Sequence, residues 1–514
     1  MSALPLPSGW ATAPIADVIR EVRTTDPSTE PNAEITYFDI SSIDNEAGVI
    51  TDPKVILGVD APSRARQIVE PWDVLFSTVR PNLRAVALVP EVVKGIASTG
   101  FCVLRAAKSV DPRYLHFFVR SEGFLDALLP LQRGVSYPAV RSGDVVSQFI
   151  PLPPAAEQTR IVEKLEELLS DLDAGAAELK AAQKKLARFR QSLLKAAVEG
   201  ALTAEWRKNQ AGAPVESGAE LLARVLRERR ARWEARQLAK FKEQGKTPPT
   251  DWQAKYPEPA APDTTGLPVV QQGWVWASLD QMLYELRSGT AETSGRDVTA
   301  QPVLKSSAVR QGRIDLSELN YFREAKSKRS DSILELGDVL ITRLSGSVDY
   351  VGCCAVVRVL PLTATQYPDR IFCGKPALQV GWLADFLECC FQSAYGRKRI
   401  ESAAKSTAGH QRISLSDLRP FPIPLPSSLE IAEIMKQVGD GFQRIEAAES
   451  DVGMGLKKSA AQRKNLLQAA FSGKLVPQDK SDEPASVLLE RIRTERTARA
   501  AETTPRRRSA RKTQ

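Results

Sequence analysis

The chain has 514 residues, 43% hydrophobic and 26% charged, which is ordinary globular usage with room for several cores. Its formal net charge of +8 favours a polyanionic partner. No stretch approaches the roughly 18 apolar residues of a membrane span. Met1-Ser2-Ala3-Leu4-Pro5 lacks a signal peptide's cationic start, and no cysteine pair has Cys-x-x-Cys spacing, so a cytoplasmic protein with reduced thiols is expected.

In chain order, the first feature is Gly9-Trp10 with Ala13. Short apolar runs at Val74 to Phe76 and Ala85 to Val89 predict strands, the first introduced by Asp73-Val74-Leu75. Arg80, Asn82 and Arg84 follow at alternating positions, a spacing that on an extended chain presents one polar row. Ser136, Tyr137 and Arg141 form a second donor-rich group just before Asp144. Pro151-Leu152-Pro153 then opens a predicted helix over 155–199. Pro153 and Pro154 suit its start, Glu157 places negative charge near its positive end, and Gly200 terminates it.

Along that helix Leu165, Leu172, Leu179, Leu186 and Leu193 recur every seventh residue. Ile161, Leu168, Gly175, Ala182, Phe189 and Ala196 form a second heptad series beside them, and together they make a coiled-coil seam. About 40 residues at about 1.5 Å each give a rod of about 60 Å. A charged helix is predicted from 216 to about 243. The proline-rich stretch from Gly245 to Pro268 predicts an extended linker.

The chain then begins again. Gly273-Trp274 with Ala277 repeats the opening, and Asp338-Val339-Leu340 repeats the strand signal, with strands predicted at Val339 to Ile341 and Ala355 to Val359. Arg343, Ser345 and Ser347 take the place of Arg80 and its neighbours, and His410, Gln411 and Arg412 precede Asp417 as Ser136, Tyr137 and Arg141 precede Asp144. Pro424-Leu425-Pro426 opens a second helix whose seam holds Ile434, Val438, Ile445, Val452 and Leu466, and a basic tail runs from Pro505 through Lys512.

The two helical stretches align without a gap at an offset of 424 − 151 = 273: Glu157 meets Glu430, Ile161 meets Ile434, Arg190 meets Arg463 and Gly200 meets Gly473. A repeat this long is a duplicated structural unit. Beyond it Leu221-Leu222 and Leu488-Leu489 align at an offset of 488 − 221 = 267. Each seam needs a partner and the matching copy lies on the same chain. The expected fold is therefore α+β: two globular domains and two long antiparallel coiled-coil helices, related by an approximate two-fold. The corresponding segments are 1–150, 151–264 (spacer helix 155–199, extension and linker 200–264), 265–423 and 424–514.

Catalytic signatures are missing. Gly245-Lys246-Thr247 resembles the end of a phosphate loop, but Lys240 stands where the first glycine belongs and no strand precedes it. There is no glycine-rich cofactor turn after a strand, and no nucleophile with a histidine in a convincing motif. The chain is expected to catalyse nothing alone and to bind no cofactor or metal.

Glu157-Gln158-x-Arg160-Ile161-Val162 after Pro-Leu-Pro, the leucine rod, and the exits Gly200-Ala201-Leu202 and Gly473-Lys474-Leu475-Val476-Pro477 resemble the specificity subunit of type I restriction-modification systems. So do Ser77-Thr78-Val79-Arg80-Pro81-Asn82-Leu83, the Pro248-Pro249-Thr250-Asp251-Trp252 linker and the Leu267-Pro268 to Gly273-Trp274 opening. The chain departs from the pattern at Ile431-Ala432-Glu433. The resemblance implies two target recognition domains, each reading half of a split site on double-stranded DNA, with the helices as spacer and scaffold. It also implies two methyltransferase subunits bringing S-adenosylmethionine and restriction subunits bringing ATP- and Mg²⁺-dependent cleavage, around one copy of this chain, in DNA methylation and host defence. The candidate DNA contacts are the four donor-rich groups above, because arginine suits guanine edges and asparagine or glutamine adenine edges.

Overall fold

The computed structural model describes residues 6–134, 137–210, 216–291, 294–295, 301–322, 332–407 and 409–503. The basic tail and Ser136 lie outside them. The fold is mixed α+β and divides into two compact units, one of Met1–Lys180 with Val452–Gln514 and the other of Ala181–Asp451. Each unit therefore combines one strand-rich module with half of each long helix. Those helices, Ala155–Val198 and Ser428–Phe471, have 44 residues each, about 66 Å at about 1.5 Å per residue. None of the described helices is long and apolar enough to cross a membrane.

Within each unit the segment after the repeated Gly-Trp and the segment holding Pro-Leu-Pro form one ladder. In the first unit, strand Ala11–Pro14 pairs antiparallel with Phe149–Leu152, setting Ala13 opposite Ile150 and Ala11 opposite Leu152. In the second, Val275–Ser278 pairs with Pro422–Leu425, setting Ala277 opposite Ile423 and Val275 opposite Leu425. The Pro-Leu-Pro sequences therefore belong to strands and do not open the helices, which begin at Ala155 and Ser428. Proline is admitted because each ladder has only two strands and can spare a backbone donor.

The tryptophans following the glycines close this ladder onto the helices. Trp10 Nε1 donates to Glu157 at 3.0 Å in the first unit, and Trp274 Nε1 donates to Glu430 at 2.9 Å in the second, all four residues being buried. The following helix is pinned to the same glycine. Ala485 N donates to Gly9 O at 2.8 Å, and Gly218 N donates to Gly273 O at 2.8 Å. A Cβ on Gly218 would collide with the carbonyl of Leu425, so glycine is required there. In consequence helix Gly218–Glu243, which follows the first long helix, packs in the unit of the second module, and Ala485–Thr503, which follows the second, packs in the unit of the first.

Each module is built on a four-stranded sheet of the same order. In the first unit the strands are Ile19–Arg20, Phe101–Ala106, Val74–Ser77 and Val86–Leu88; in the second they are Leu283–Ser288, Ile371–Pro376, Val339–Thr342 and Cys354–Val356. The last of these is shorter than the strand predicted to Val359. The repeated Asp-Val-Leu sits on matching strands, and its aspartate is buried with a cation. Arg105 donates to both oxygens of Asp73 at 2.9 and 2.7 Å and lies 3.0 Å from Glu70, while Lys375 lies 3.1 Å from Asp338 and 2.7 Å from Glu335. Glu70 N and Glu335 N cap the same carboxylates at 2.8 and 2.9 Å.

The long helices pair antiparallel within each unit. In the second unit Leu193 abuts Gly441, the Arg190 guanidinium lies 4.7 Å over the Phe442 ring, and Arg190 reaches Glu449 at 3.4 Å. In the first, Leu179 abuts Gly455 and Arg463 pairs with Asp173. Residue numbers of the contacting partners rise along one helix as they fall along the other. Ile161, Leu165, Leu193, Ile434, Val438 and Ile445 are buried, and Leu168, Leu172, Leu179, Leu186, Val452 and Leu466 are half-buried. Phe189 is the correction: it is 54% exposed and lies off the seam. A straight helix drifts about 20° per heptad, so a series begun at Ile161 walks away from the partner four heptads later, where Leu186 and Arg190 take over.

The predicted extended linker is a strap. Its Trp252–Lys255 segment forms a 3-10 turn, with Trp252 stacked 5.8 Å from Trp233 of helix Gly218–Glu243 and Tyr256 edge-on to the same ring at 5.4 Å. Further on, Asp280 accepts from Ala260 N at 2.9 Å and Arg399 pairs with Asp263 at 3.0 Å. All six cysteines are free and buried.

Arg105→Met is expected to destabilise the chain by about 3–5 kcal/mol, since it strands the buried Asp73 carboxylate, and denaturant unfolding measures this directly. His116 offers a pH signature. Burial, reinforced by Arg120, pushes its pKa from 6.5 down to about 3. The unfolded chain therefore binds one more proton between those values, and stability present above pH 6.5 is lost as the pH falls towards 3. His116→Phe should flatten that acid limb by up to one proton, checked by unfolding midpoints across pH 3 to 7.

Candidate nucleic-acid interface

In the first unit the loop after strand Val74–Ser77 is knitted to the segment before Asp144. Val140 N donates to Thr78 O at 2.9 Å, Arg80 N donates to Pro138 O at 2.7 Å, and the Arg80 guanidinium lies 4.9 Å over the Tyr137 ring. The two candidate groups predicted from sequence thus meet. They do not form an extended row, however. Arg80 and Arg84 are both left-handed, at φ +48° and +58°, around a 3-10 turn over Pro81–Leu83. That conformation costs about 1–2 kcal/mol per non-glycine residue, and the loop's hydrogen bonds hold it. Tyr137 is 72% exposed, and Arg80, Asn82, Leu83, Arg84 and Arg141 are exposed around it. Arg84 is shared with the scaffold through Glu122 at 3.5 Å, a carboxylate that also pairs with Lys464 at 2.5 Å.

Asp144 organises the base of this loop. It accepts from Arg141 N at 2.8 Å and pairs with Arg133 at 2.7 Å, and these partners hold its carboxyl below the usual range. Its counterpart Asp417 accepts from Ser414 N at 3.0 Å in the second unit. The equal spacing of the two aspartates from Pro-Leu-Pro therefore marks a repeated cap.

In the second unit the corresponding groups form a small sheet. Strand His410–Arg412 lies between Leu344–Ser345 and Lys405–Thr407, with Ser345 opposite Gln411 and Leu344 opposite Arg412. Ser345 and His410 border a cavity of about 190 Å³ together with Ser306, Arg310, Tyr350 and Arg370. Arg343 turns inward, its guanidinium 5.7 Å over Phe372 and donating to Asp369 O at 3.3 Å. Ser347 caps the following turn through Asp349 N at 3.3 Å. Sequence spacing missed Arg310, Tyr350 and Arg370, which come from three separate segments. Only the hairpin pairing Arg310 with Arg313 gave a local signal.

The first unit thus exposes a ring stacked on a guanidinium, and the second exposes a recess rich in cations and hydroxyls. Each hangs on its own copy of the two-stranded ladder. Residues 7–183 match the type I restriction modification DNA specificity domain. Over 99% of its length the chain is 25% identical to the type I restriction enzyme EcoKI specificity subunit of Escherichia coli (strain K12), covering 100% of that protein. Over 98% it is 23% identical to the type I restriction enzyme StySPI specificity subunit of Salmonella potsdam, covering 99% of it. A solved structure described as the structural basis underlying complex assembly and conformational transition of the type I R-M system matches with a TM-score of 0.67 at 25% identity. That match covers 92% of this chain and 100% of that one.

Two divergent, donor-rich surfaces on one duplicated frame define a specificity protein. Over residues 7–183, and in sequence and fold over nearly its whole length, the chain is similar to the specificity subunits of type I restriction-modification systems.

Tyr137→Ala removes an exposed ring and should leave stability within about 0.5 kcal/mol while weakening binding to target DNA. Titration of labelled duplex with the partnered protein checks this; unchanged affinity would remove the loop from the interface.

Proposed function

We propose that the chain reads a bipartite DNA target. Residues 1–150 recognise one half and residues 265–423 the other, the paired helices setting the gap between them. The observation that carries this reading is the duplicated Trp-Glu frame, which holds two chemically different loop sets by one mechanism. Similar support with different readers is what two unrelated half-sites require. Half-sites on one face of B-DNA recur about every 34–36 Å, so inserting or deleting helical turns would change the permitted gap.

On the same reading the long helices dock two methyltransferase subunits, and restriction subunits join that complex in the cytoplasm. Transfer of the methyl group from S-adenosylmethionine, and cleavage driven by ATP with Mg²⁺, belong to those partners; this chain supplies selection and positioning. One copy per complex follows from a chain that carries both readers itself.

Exchange of residues 1–150 or 265–423 for those of a relative, expressed with the cognate methyltransferase, is expected to change one half of the methylated motif and spare the other. Genome-wide mapping of modified bases reads the outcome. A continuous motif, or both halves changing together, would overturn the two-reader assignment.

A further inference from the structure

We propose that the recess in the second unit seats a backbone phosphate of the DNA and does not read a base, an inference that rests on the DNA-reading function above. Arg310 and Arg370 border the same cavity of about 190 Å³, joined by Ser306, Ser345, Tyr350 and His410, and none of the lining residues is an aspartate or glutamate. Two guanidinium groups beside one small cavity repel each other unless an anion lies between them.

Arg310 is preset for that role. Its guanidinium lies 4.7 Å over the Tyr350 ring, and Nη1 donates to Val309 O at 2.9 Å, which fixes the plane while leaving further N–H donors of the five available. Serine hydroxyls add donors on the same wall. Base edges are read by side chains that project into a groove and match a flat donor and acceptor pattern. Donors converging on a concavity suit the tetrahedral oxygens of phosphate instead. The site would anchor the second module in register while neighbours such as the exposed Arg412 and the half-buried Gln411 remain for base edges.

The test uses the full chain in complex with its methyltransferase partner, comparing Arg310→Gln and Arg370→Gln with Lys242→Gln, which removes one exposed charge from the end of helix Gly218–Glu243. DNA affinity is measured across salt concentrations for target duplex and for duplexes altered in either half-site. The expected result for each arginine variant is a loss of about ten-fold, equal for target and altered duplexes. The slope of log affinity against log salt should become shallower by about one. Lys242→Gln and the thermal midpoints should stay at wild-type values.

Loss confined to one base pair of the second half-site, or no loss, would overturn the phosphate assignment while leaving the two-reader function standing. Calorimetric titration with inorganic phosphate separates the sources: phosphate binding that the variants abolish while the DNA salt slope stays unchanged would make this a free-phosphate site and also overturn the proposal. Failure of the wild-type complex to bind duplex would instead overturn the DNA-reading function beneath it.

Discussion

A buried indole N–H donating to a buried carboxylate holds each unit together. Trp10 with Glu157 and Trp274 with Glu430 join a two-stranded ladder to the start of a long helix, and the ladder in turn receives the next helix through the carbonyl of Gly9 or Gly273. Remove the contact, and strand, rod and docking helix lose their common point. The two copies are satisfied differently. Glu430 also takes Thr203 Oγ1 at 2.7 Å and pairs with Arg207, whereas the second oxygen of Glu157 has no hydrogen-bond partner among the described residues. Burial raises the Glu157 pKa. A raised acid pKa means the folded state binds protons more readily, so this group detracts from stability above its folded pKa and less so below its unfolded value. The repeat places Val476 and Lys480 where Thr203 and Arg207 stand, which accounts for the difference.

Much of this was legible because repetition carries information that single motifs do not. The helix predicted over 155–199 ends at Val198, and the strands starting at Val74 and Val339 begin where expected. The meaning of the repeated Gly-Trp and Pro-Leu-Pro sequences was hidden, since pairing Ala13 with Ile150 is long-range and leaves no local periodicity. Proline before a helix reads as a helix start, and only the ladder shows that it closes a strand.

The loops were harder for a different reason. Alternation of Arg80, Asn82 and Arg84 suggests extended chain, yet both arginines are left-handed, Arg80 held by its hydrogen bond to Pro138 O and Arg84 by its bond to Pro81 O. The Arg310 and Arg370 recess is assembled from segments 60 residues apart, so neither residue is conspicuous in its own neighbourhood. Surfaces that discriminate between ligands vary while their supports repeat, and the supports are therefore what a duplicated sequence displays.

The exchange of docking helices has a consequence for synthesis. Ala485 bonds to Gly9, Arg496 donates to Ala16 O at 2.9 Å, and Leu488 and Ile492 are buried with Trp10 and Ile15 in one core. The first module is thus completed by a helix synthesised long after it. At roughly 5–20 residues per second the amino-terminal module waits on the order of tens of seconds for its final helix. The second unit lies within a contiguous stretch of chain and has no such wait, so of the two units the one begun earlier is completed later.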